Sequence, residues 1–363
     1  MATDHPTAVR RPAVVGLILL VIALVALAAT WARVSQTDEP PSEPPTAASR
    51  EGIWIDRADV ASLPAKGPAW EILAEYALDD WGPVDIGDQN SDHDVHTLAG
   101  ALYAIRLDDE TATERVRDAL DSVQGSTSDE ILAVSRNLLS YVVAADLIRY
   151  RSVAFDDWLS DTLVRPGQSR AGIDTVLESA LRDPSNHGAH ARSRVIAVAR
   201  RFGDDELVGR VASRFHDWLG RSSDGFEWRE LDWQSDPDRP RGVNPPGARI
   251  DGVDVDGVLP EEQRRSGGFV DPPPREPYVW EGLQGAIATA ELLAVAGYDS
   301  WAWEDRALER AIDWLYRVND YPAEGDDRWI PWVVNARNET DYPVETPTRP
   351  GKSIGFTDWT HRR

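Results

Sequence analysis

The sequence predicts an all-α protein, in which helical hairpins form an (α/α) toroid or incomplete barrel with long irregular loops, preceded by one N-terminal transmembrane helix. Two observations favour this fold class. Apolar residues recur at helical spacing from residue 53 onward, and no convincing series of alternating strand residues is present. The helical segments differ in length and have short links between them, without the fixed-period motif of solenoid repeats.

The N-terminal residues are predicted to carry the rest of the chain out of the cytoplasm. Residues 1–12 are expected to stay cytoplasmic, because Arg10 and Arg11 precede an apolar run. That run, residues 13–32, has the roughly 20 residues that a membrane-crossing helix needs. It is interpreted as a transmembrane anchor or, alternatively, as a signal peptide that is removed to give a secreted protein. Residues 33–52, rich in proline and glutamate, are predicted to form a disordered stalk.

The remaining residues, 53–363, form the predicted helical domain. Helices are predicted over residues 69–81, 93–106, 111–122, 129–150, 155–164, 172–182, 187–202, 204–219, 281–296 and 304–317. Two long regions, 221–277 and 319–363, interrupt this pattern and are predicted to be irregular. They are expected either to close over a cleft or to wrap and shield helix ends, since loops this long are commonly functional.

Composition excludes several classes of function. The formal net charge of −24 disfavours nucleic-acid binding through a basic surface. The absence of cysteine excludes disulfides, thiolate metal sites and a cysteine nucleophile. Lys66 and Lys352 are the only lysines, and such an acidic, lysine-poor composition suggests a halophilic protein whose self-repulsion is screened by salt, although a GC-rich genome would also replace lysine by arginine.

A polar stretch at the start of a predicted helix is the main candidate site. The sequence DPSNHGAHARSR, residues 183–194, places His187, His190 and Arg194 on one side of a helix whose later turns are apolar on that side. Asn186 and His187 lie at the helix N-terminus, where free N–H groups and the helix dipole favour an anion such as a carboxylate. The alternative is a histidine pair that serves only the core.

No metal or cofactor is predicted at this stretch. His93 and His96 share the spacing H-x-x-H with His187 and His190, and both pairs can present two imidazoles on one helix face. A zinc site needs further ligands, and no H-E-x-x-H pattern is present. The sequence therefore favours proton transfer or anion binding over metal chemistry.

These residues resemble a known family. NHGAHARSRVIAVARRFGDDEL, residues 186–207, is similar to the segment of alginate lyase-type polysaccharide lyases in which an Asn-His pair opens an inner helix of an α/α toroid. EPYVWEGLQGAIATAELLAVAGYD, residues 276–299, resembles their later helix, which begins just after a functional tyrosine. Shorter blocks extend the resemblance over residues 82–361: DQNSDHDVHTLAGALYAIR, SRNLLSYVVAADLI, DGVLPEEQRR, PAEGDDRWIPW and PGKSIGFTDWTH.

Two positions depart from the family pattern. Ser185 stands where many members carry a second asparagine before the histidine. An arginine expected about two turns before Tyr278 is not clearly present, because Asp271 falls there, with Arg265 and Arg275 as neighbours. These departures leave the substrate open.

The resemblance implies a metal-independent lyase that cleaves a uronic-acid-containing, alginate-like polysaccharide by β-elimination. It implies that Asn186 hydrogen-bonds the uronate carboxyl group and that His187 is either the base or a second neutralising group. Tyr278 is implied as the acid and, in one version, as the base as well. Predicted substrate-binding residues are His190, Arg194, Arg264, Arg265, Trp233 and Trp280, and each has a purely structural role as its alternative.

Two other functions stay open in the sequence. A toroidal glycoside hydrolase would need two carboxylates facing one cleft, for which Asp92, Asp94 and Glu281 are conceivable. A non-catalytic, membrane-tethered protein that binds glycans or assembles the envelope would explain the departure at Ser185. The charge of −24 disfavours a polyanionic partner unless the cleft is locally rich in arginine and histidine.

Overall fold

The computed structural model describes residues 43–168, 172–348 and 350–362. The predicted anchor at residues 13–32 lies outside them. Within these ranges, no helix combines the length and the apolar content needed to cross a membrane. The all-α prediction is confirmed for the described chain, where the only strands are the short pair Arg249–Ile250 (β1) and Val253–Asp254 (β2).

The helices follow the predicted order. They are α1 (Arg57–Ser62), α2 (Pro68–Leu78), α3 (His93–Leu107), α4 (Glu110–Val123), α5 (Ile131–Leu147), α6 (Val153–Val164), α7 (Val176–Arg182), α8 (Asn186–Phe202), α9 (Asp205–His216), α10 (Pro260–Gln263), α11 (Pro277–Val295), α12 (Trp303–Arg317), α13 (Ile330–Asn338) and α14 (Thr357–Thr360). Every predicted helix overlaps an observed one. A π-helical turn, Asp217–Arg221, follows α9, and 3-10 turns occur at Arg264–Ser266 and Gly325–Asp327.

Local capping explains where many of these helices begin. The N-cap side chains of Asp56, Asp109, Ser152, Thr175, Asp204 and Glu276 each accept a hydrogen bond from a backbone N–H in the first turn that follows. Such a cap satisfies one of the N–H groups that a helix leaves without an intrahelical partner. At the C-terminal end of α8, Gly203 adopts a left-handed backbone conformation, which glycine tolerates, and the helix ends there.

Four helices form a central row through the domain. Helix α3 packs against α5, α5 against α8, and α8 against α11, while α2, α4, α7 and α9 each pack against α3 or α8. Most residues of α5, α8 and α11 are buried, as expected for helices surrounded by others. The row therefore brings the polar residues of three neighbouring helices together.

A glycine permits the closest approach within this row. A Cβ atom at Gly285 of α11 would lie only 2.4 Å from the backbone carbon of Ala189 in α8. Any larger residue would push the two helices apart. Because Gly285 lies one turn after Glu281 and Ala189 precedes His190, this contact sets the distance between the two sides of the candidate site.

Part of the predicted stalk lies against the helical body. The backbone N–H groups of Thr46 and Ala47 donate to the carbonyl of Gly297 at 2.8 and 2.9 Å, and that of Arg50 donates to Val295 at 2.8 Å. These carbonyls lie at the C-terminal end of α11, where a helix leaves acceptors unpaired. The N–H groups of an extended segment have no intrahelical partners, so they can pair with these carbonyls, and residues 43–52 belong to the folded domain instead of forming a disordered stalk. Residues 33–42 of the predicted stalk lie outside the described ranges.

The two regions predicted to be irregular contain some regular structure. Residues 221–277 include α10 and the hairpin of β1 and β2, whose turn residues Asp251 and Gly252 both have positive φ angles. Asp-Gly is a favoured pair for such a two-residue turn. Residues 319–363 include α13, which carries Pro331 in its first turn. Helix α11 also begins four residues earlier than predicted, so Tyr278 lies inside it.

Candidate active site

Arg265 brings together two of the three predicted catalytic residues. Its Nη2 atom lies 3.5 Å from Oδ1 of Asn186, and its guanidinium carbon lies 3.8 Å from the centre of the Tyr278 ring. Asn186 opens α8, and Tyr278 lies in the first turn of α11. The loop arginine therefore bridges the N-terminal ends of two packed central helices.

The side chain of Asn186 is held in one orientation. Its Oδ1 accepts hydrogen bonds from the backbone N–H of His187 at 3.0 Å and from Arg265. Because both bonds use the carbonyl side of the amide, the Nδ2 group is directed elsewhere and contacts no acceptor in the described part of the chain. Asn186 is only 1% exposed, so a carboxyl group can reach its Nδ2 group only if the packed ends of α8 and α11 move apart.

A carboxyl group of the protein itself occupies the start of α8, where an anion was expected. The buried carboxyl group of Glu262 accepts a hydrogen bond from the backbone N–H of Asn186, and its Oε2 lies 3.2 Å from Nε of Arg265. Burial raises the pKa of Glu262 to about 8, against the opposing effect of Arg265. Burial thus favours the protonated form of Glu262, whereas Arg265 and the N–H of Asn186 favour the ionised form.

The third predicted catalytic residue, His187, is half-buried in the first turn of α8. His190, one turn later, is fully buried, with Nδ1 3.0 Å from Oγ of Ser353 and Nε2 4.0 Å from Oε2 of Glu281. Burial holds the pKa of His190 well below its usual range, and the charges of Arg136 and His187 act in the same direction. His190 is therefore a neutral imidazole that lies between a hydroxyl and a carboxyl group.

The order hydroxyl, imidazole, carboxyl matches that of a serine-hydrolase triad, and Ser353 lies within the sequence Gly-Lys-Ser-Ile-Gly. Burial argues against that chemistry. Ser353 and His190 are both fully buried, so no substrate carbonyl reaches the hydroxyl in this conformation. The hydroxyl instead fixes the orientation of the His190 ring.

Glu281 connects this histidine to a second set of charges. Its Oε2 lies 3.3 Å from Nη1 of Arg136, whose Nη2 lies 3.5 Å from Oδ2 of Asp326. Gln284 accepts from Arg136 at 3.3 Å and donates to Asp327 at 2.7 Å. Burial raises the pKa of Asp327 to about 7 and also raises that of Glu281. The site thus combines two arginines with several carboxyl groups that hold protons unusually well.

Some predicted substrate-binding residues lie outside this cluster. Arg194 is fully buried and donates to the hydroxyl of Thr162, whereas His190 faces Ser353, so the predicted common face of α8 is divided between two environments. A surface cavity that includes Thr162 and Ile86 shares no lining residue with the cluster.

Trp233 and Trp280, predicted to stack on sugar rings, instead have a structural role in the core. Trp233 is fully buried, donates to the carbonyl of Gly267 at 3.1 Å and meets the ring of Phe269. Trp280 is also buried, with its ring edge-on to those of Tyr316 and Tyr321. Neither indole face is open to a sugar ring.

Arg264, another predicted substrate-binding residue, pairs with Glu261 at 2.8 Å and with Glu230 at 3.3 Å. Arg265 is therefore the arginine of this turn that belongs to the cluster.

The polar residues of α3 have partners of their own. His93 Nδ1 lies 2.6 Å from the Tyr141 hydroxyl, and burial lowers the pKa of His93 to about 4. Asp94, considered for a hydrolase, pairs with Lys352 at 2.6 Å, and His96 contacts the carbonyl of Tyr76. In the described ranges, no group of three or more His, Asp and Glu side chains is arranged to hold a metal ion.

Sequence reasoning did not place the turn residues Asp326 and Asp327 in the site, and it considered Glu262 only as a structural partner of the neighbouring arginines, a pairing that the structure shows. The only signal was their place in the blocks DGVLPEEQRR and PAEGDDRWIPW, since charged loop residues are ordinarily solvated. The structure also supplies an arginine beside Tyr278, which the sequence lacked at the expected spacing. No family model and no curated protein matches this chain, so the assignment of the site depends on its residues and their geometry.

Proposed function

We propose that this protein is an extracytoplasmic polysaccharide lyase that cleaves a uronic-acid-containing, alginate-like polysaccharide by β-elimination. One observation carries the proposal: Arg265 contacts both Asn186 and Tyr278. An amide donor, a guanidinium group and a phenol then lie within one small region. These are the groups that elimination next to a carboxylate requires.

Each residue has a defined task in this reaction. Asn186 donates a hydrogen bond to the substrate carboxylate and Arg265 supplies positive charge, so that the carbanion forming at C5 is stabilised. Tyr278 exchanges protons with the substrate, because it is 42% exposed while its ring contacts Arg265. His187, half-buried at the start of α8, is the second neutralising group.

The proposed architecture is an α/α toroid. The contact order α3, α5, α8, α11, with other helices outside this row, is what the inner and outer rings of a toroid would produce. Residues 13–32 are proposed to anchor the domain outside the cytoplasm or to act as a cleaved signal. Arg136 and Arg265 are the cationic groups that would have to attract a polyanion to a protein of charge −24, and both are paired with carboxyl groups of the protein.

The test is to incubate the purified full chain with a panel of uronic polysaccharides. Absorbance of the unsaturated uronate product reports elimination. The same product from a His187→Ala variant at the rate of the unaltered chain would remove His187 from the mechanism. No unsaturated product from any member of the panel would overturn the lyase proposal.

A glycoside hydrolase is the second candidate, favoured by the raised pKa values of Glu281 and Asp327. A carboxyl group that keeps its proton near neutral pH can act as the general acid of glycoside hydrolysis. New reducing ends without the unsaturated chromophore would identify this reaction. Binding of polysaccharide with neither product would favour a non-catalytic glycan-binding protein.

A further inference from the structure

Glu281 and Tyr278 share one face of α11. They are three residues apart, which places their side chains next to each other on the helix surface. Tyr278 is 42% exposed and the Glu281 side chain 29%, whereas Val279 and Trp280 between them are buried. Two titratable groups therefore reach solvent together at the start of this helix.

The surroundings of Glu281 come from four parts of the fold. Arg136 of α5 lies 3.3 Å from its Oε2, and Nε2 of His190 of α8 lies 4.0 Å away. That Nε2 atom is buried and has no hydrogen-bond partner within the described ranges. The charges of Arg265 and Asp326 also act on Glu281, and the charge of Glu281 in turn raises the pKa of Asp327.

The protonated form of Glu281 is favoured by this environment. Burial raises its pKa, Arg136 opposes that effect, Asp326 adds to it, and Arg265 opposes it to a smaller extent. The net direction is upward. Glu281 therefore holds its proton at a higher pH than a solvated glutamate and can deliver it to a group that enters from the solvent side.

We infer that Glu281 is a further catalytic residue, the proton donor to the leaving oxygen at C4, while Tyr278 removes the proton at C5. This inference rests on the proposed lyase function. The Tyr278 hydroxyl first gives its proton to water, its oxygen then forms a bond to the C5 proton, and the C5–H electron pair becomes the C4–C5 double bond. The C4–O4 bond breaks with its electron pair on O4, and O4 takes the carboxyl proton of Glu281. Exchange with water then restores both side chains, and no redox partner is needed.

Two substrates separate this role from a structural one. One is the uronic polysaccharide that the unaltered chain cleaves, and the other is a 4-deoxy-4-fluoro uronoside, whose fluoride leaves without a proton. We expect Glu281→Gln to lower kcat on the polysaccharide by about 10²–10⁴-fold, the usual contribution of a general acid, while fluoride release stays close to that of the unaltered chain. Glu281→Asp, which keeps a carboxyl group, should lose less on the polysaccharide.

Asp326→Asn is the matched control, because Asp326 is the other carboxylate paired with Arg136. It should change both rates by the same factor. Equal losses on the two substrates for Glu281→Gln, or no loss on either, would overturn the inference while leaving the lyase proposal intact. Failure of the unaltered chain to form unsaturated product would instead reject the lyase proposal itself.

Discussion

The guanidinium carbon of Arg265, in the 3-10 turn after α10, lies 3.8 Å from the centre of the ring of Tyr278 in α11. A cation over an aromatic face is attracted by the electron density of the ring. Nη2 of Arg265 is also within 3.5 Å of Asn186. One side chain thus couples the proposed proton-transfer residue to the proposed carboxylate-binding residue.

The first expected outcome concerns this arginine. Arg265→Gln should lower kcat/KM on a cleaved uronic polysaccharide by about 10²–10³-fold, because a positioned donor to the developing charge is removed. Arg265→Lys should recover only part of the loss, since an ammonium group lacks the planar fork that reaches both neighbours. Arg275→Gln is the control: Arg275 also lies over a tyrosine ring, 5.7 Å from that of Tyr321, and is paired with exposed Asp320. An equal loss in that variant would contradict a specific role for Arg265.

The second concerns the pH dependence of stability at Glu262. Its pKa is raised by burial from 4.5 to about 8, so its stabilising contribution is complete below pH 4.5 and is lost as the pH rises to 8. Glutamine at this position stays neutral. The Tm of Glu262→Gln relative to the unaltered chain should therefore be higher at pH 9 than at pH 5, measured by thermal denaturation. The reverse order would show that the folded protein prefers the ionised carboxylate.

The third prediction concerns the pairs that buried Glu291 forms with Arg337 and His361. Burial acts to raise the pKa of Glu291, but hydrogen bonds from His361 and Arg337 outweigh it and hold the pKa at about 2. The stabilising contribution of Glu291 is thus present above pH 4.5 and is lost as the pH falls towards 2. Glu291→Ala should cost about 3–5 kcal/mol of unfolding free energy at pH 7.

Denaturant unfolding at several pH values measures this cost, which should shrink as the pH approaches 3. The control is Glu75→Ala on the exposed side of α2, where a substitution should change stability by no more than about 0.5 kcal/mol. Similar losses for the two variants would mean that the contacts of Glu291 contribute little.

The fourth concerns the segment that precedes α1. The Glu43 carboxylate lies 3.0 Å from His216 and 3.1 Å from Arg221, and the following residues donate to the end of α11. A chain that begins at Pro41 should therefore have a Tm several degrees above one that begins at Gly52. Equal melting temperatures would show that the docked segment adds nothing to the stability of the domain.

The positions of most helices could be predicted from local sequence patterns. The helix predicted at 93–106 is observed as His93–Leu107, and that predicted at 187–202 as Asn186–Phe202. Apolar periodicity and the caps at Asp109 and Ser152 act over a few residues, so they leave a local pattern. Helix α13 was not predicted, because its nine residues lie in a proline- and aspartate-rich region without a clear apolar stripe.

The candidate site was predictable only in part, because its contacts join distant residues. Asn186 and Arg265 are 79 positions apart, and Asn186 and Glu262 are 76 apart. No local pattern encodes such pairs. The tryptophans illustrate the same limit: whether Trp233 and Trp280 stack on a sugar or fill the core depends on neighbours such as Phe269 and Tyr316, which only the folded chain supplies.

The sequence by itself determined that the body is helical and that an amide and an imidazole stand at the start of one helix, since both follow from residue order within a few turns. Only the tertiary structure decided which charges meet there. The packing of α8 against α11, together with α10 and the turn that follows it, buries some carboxyl groups and leaves others exposed. This difference in solvation decides which carboxyl groups have raised pKa values.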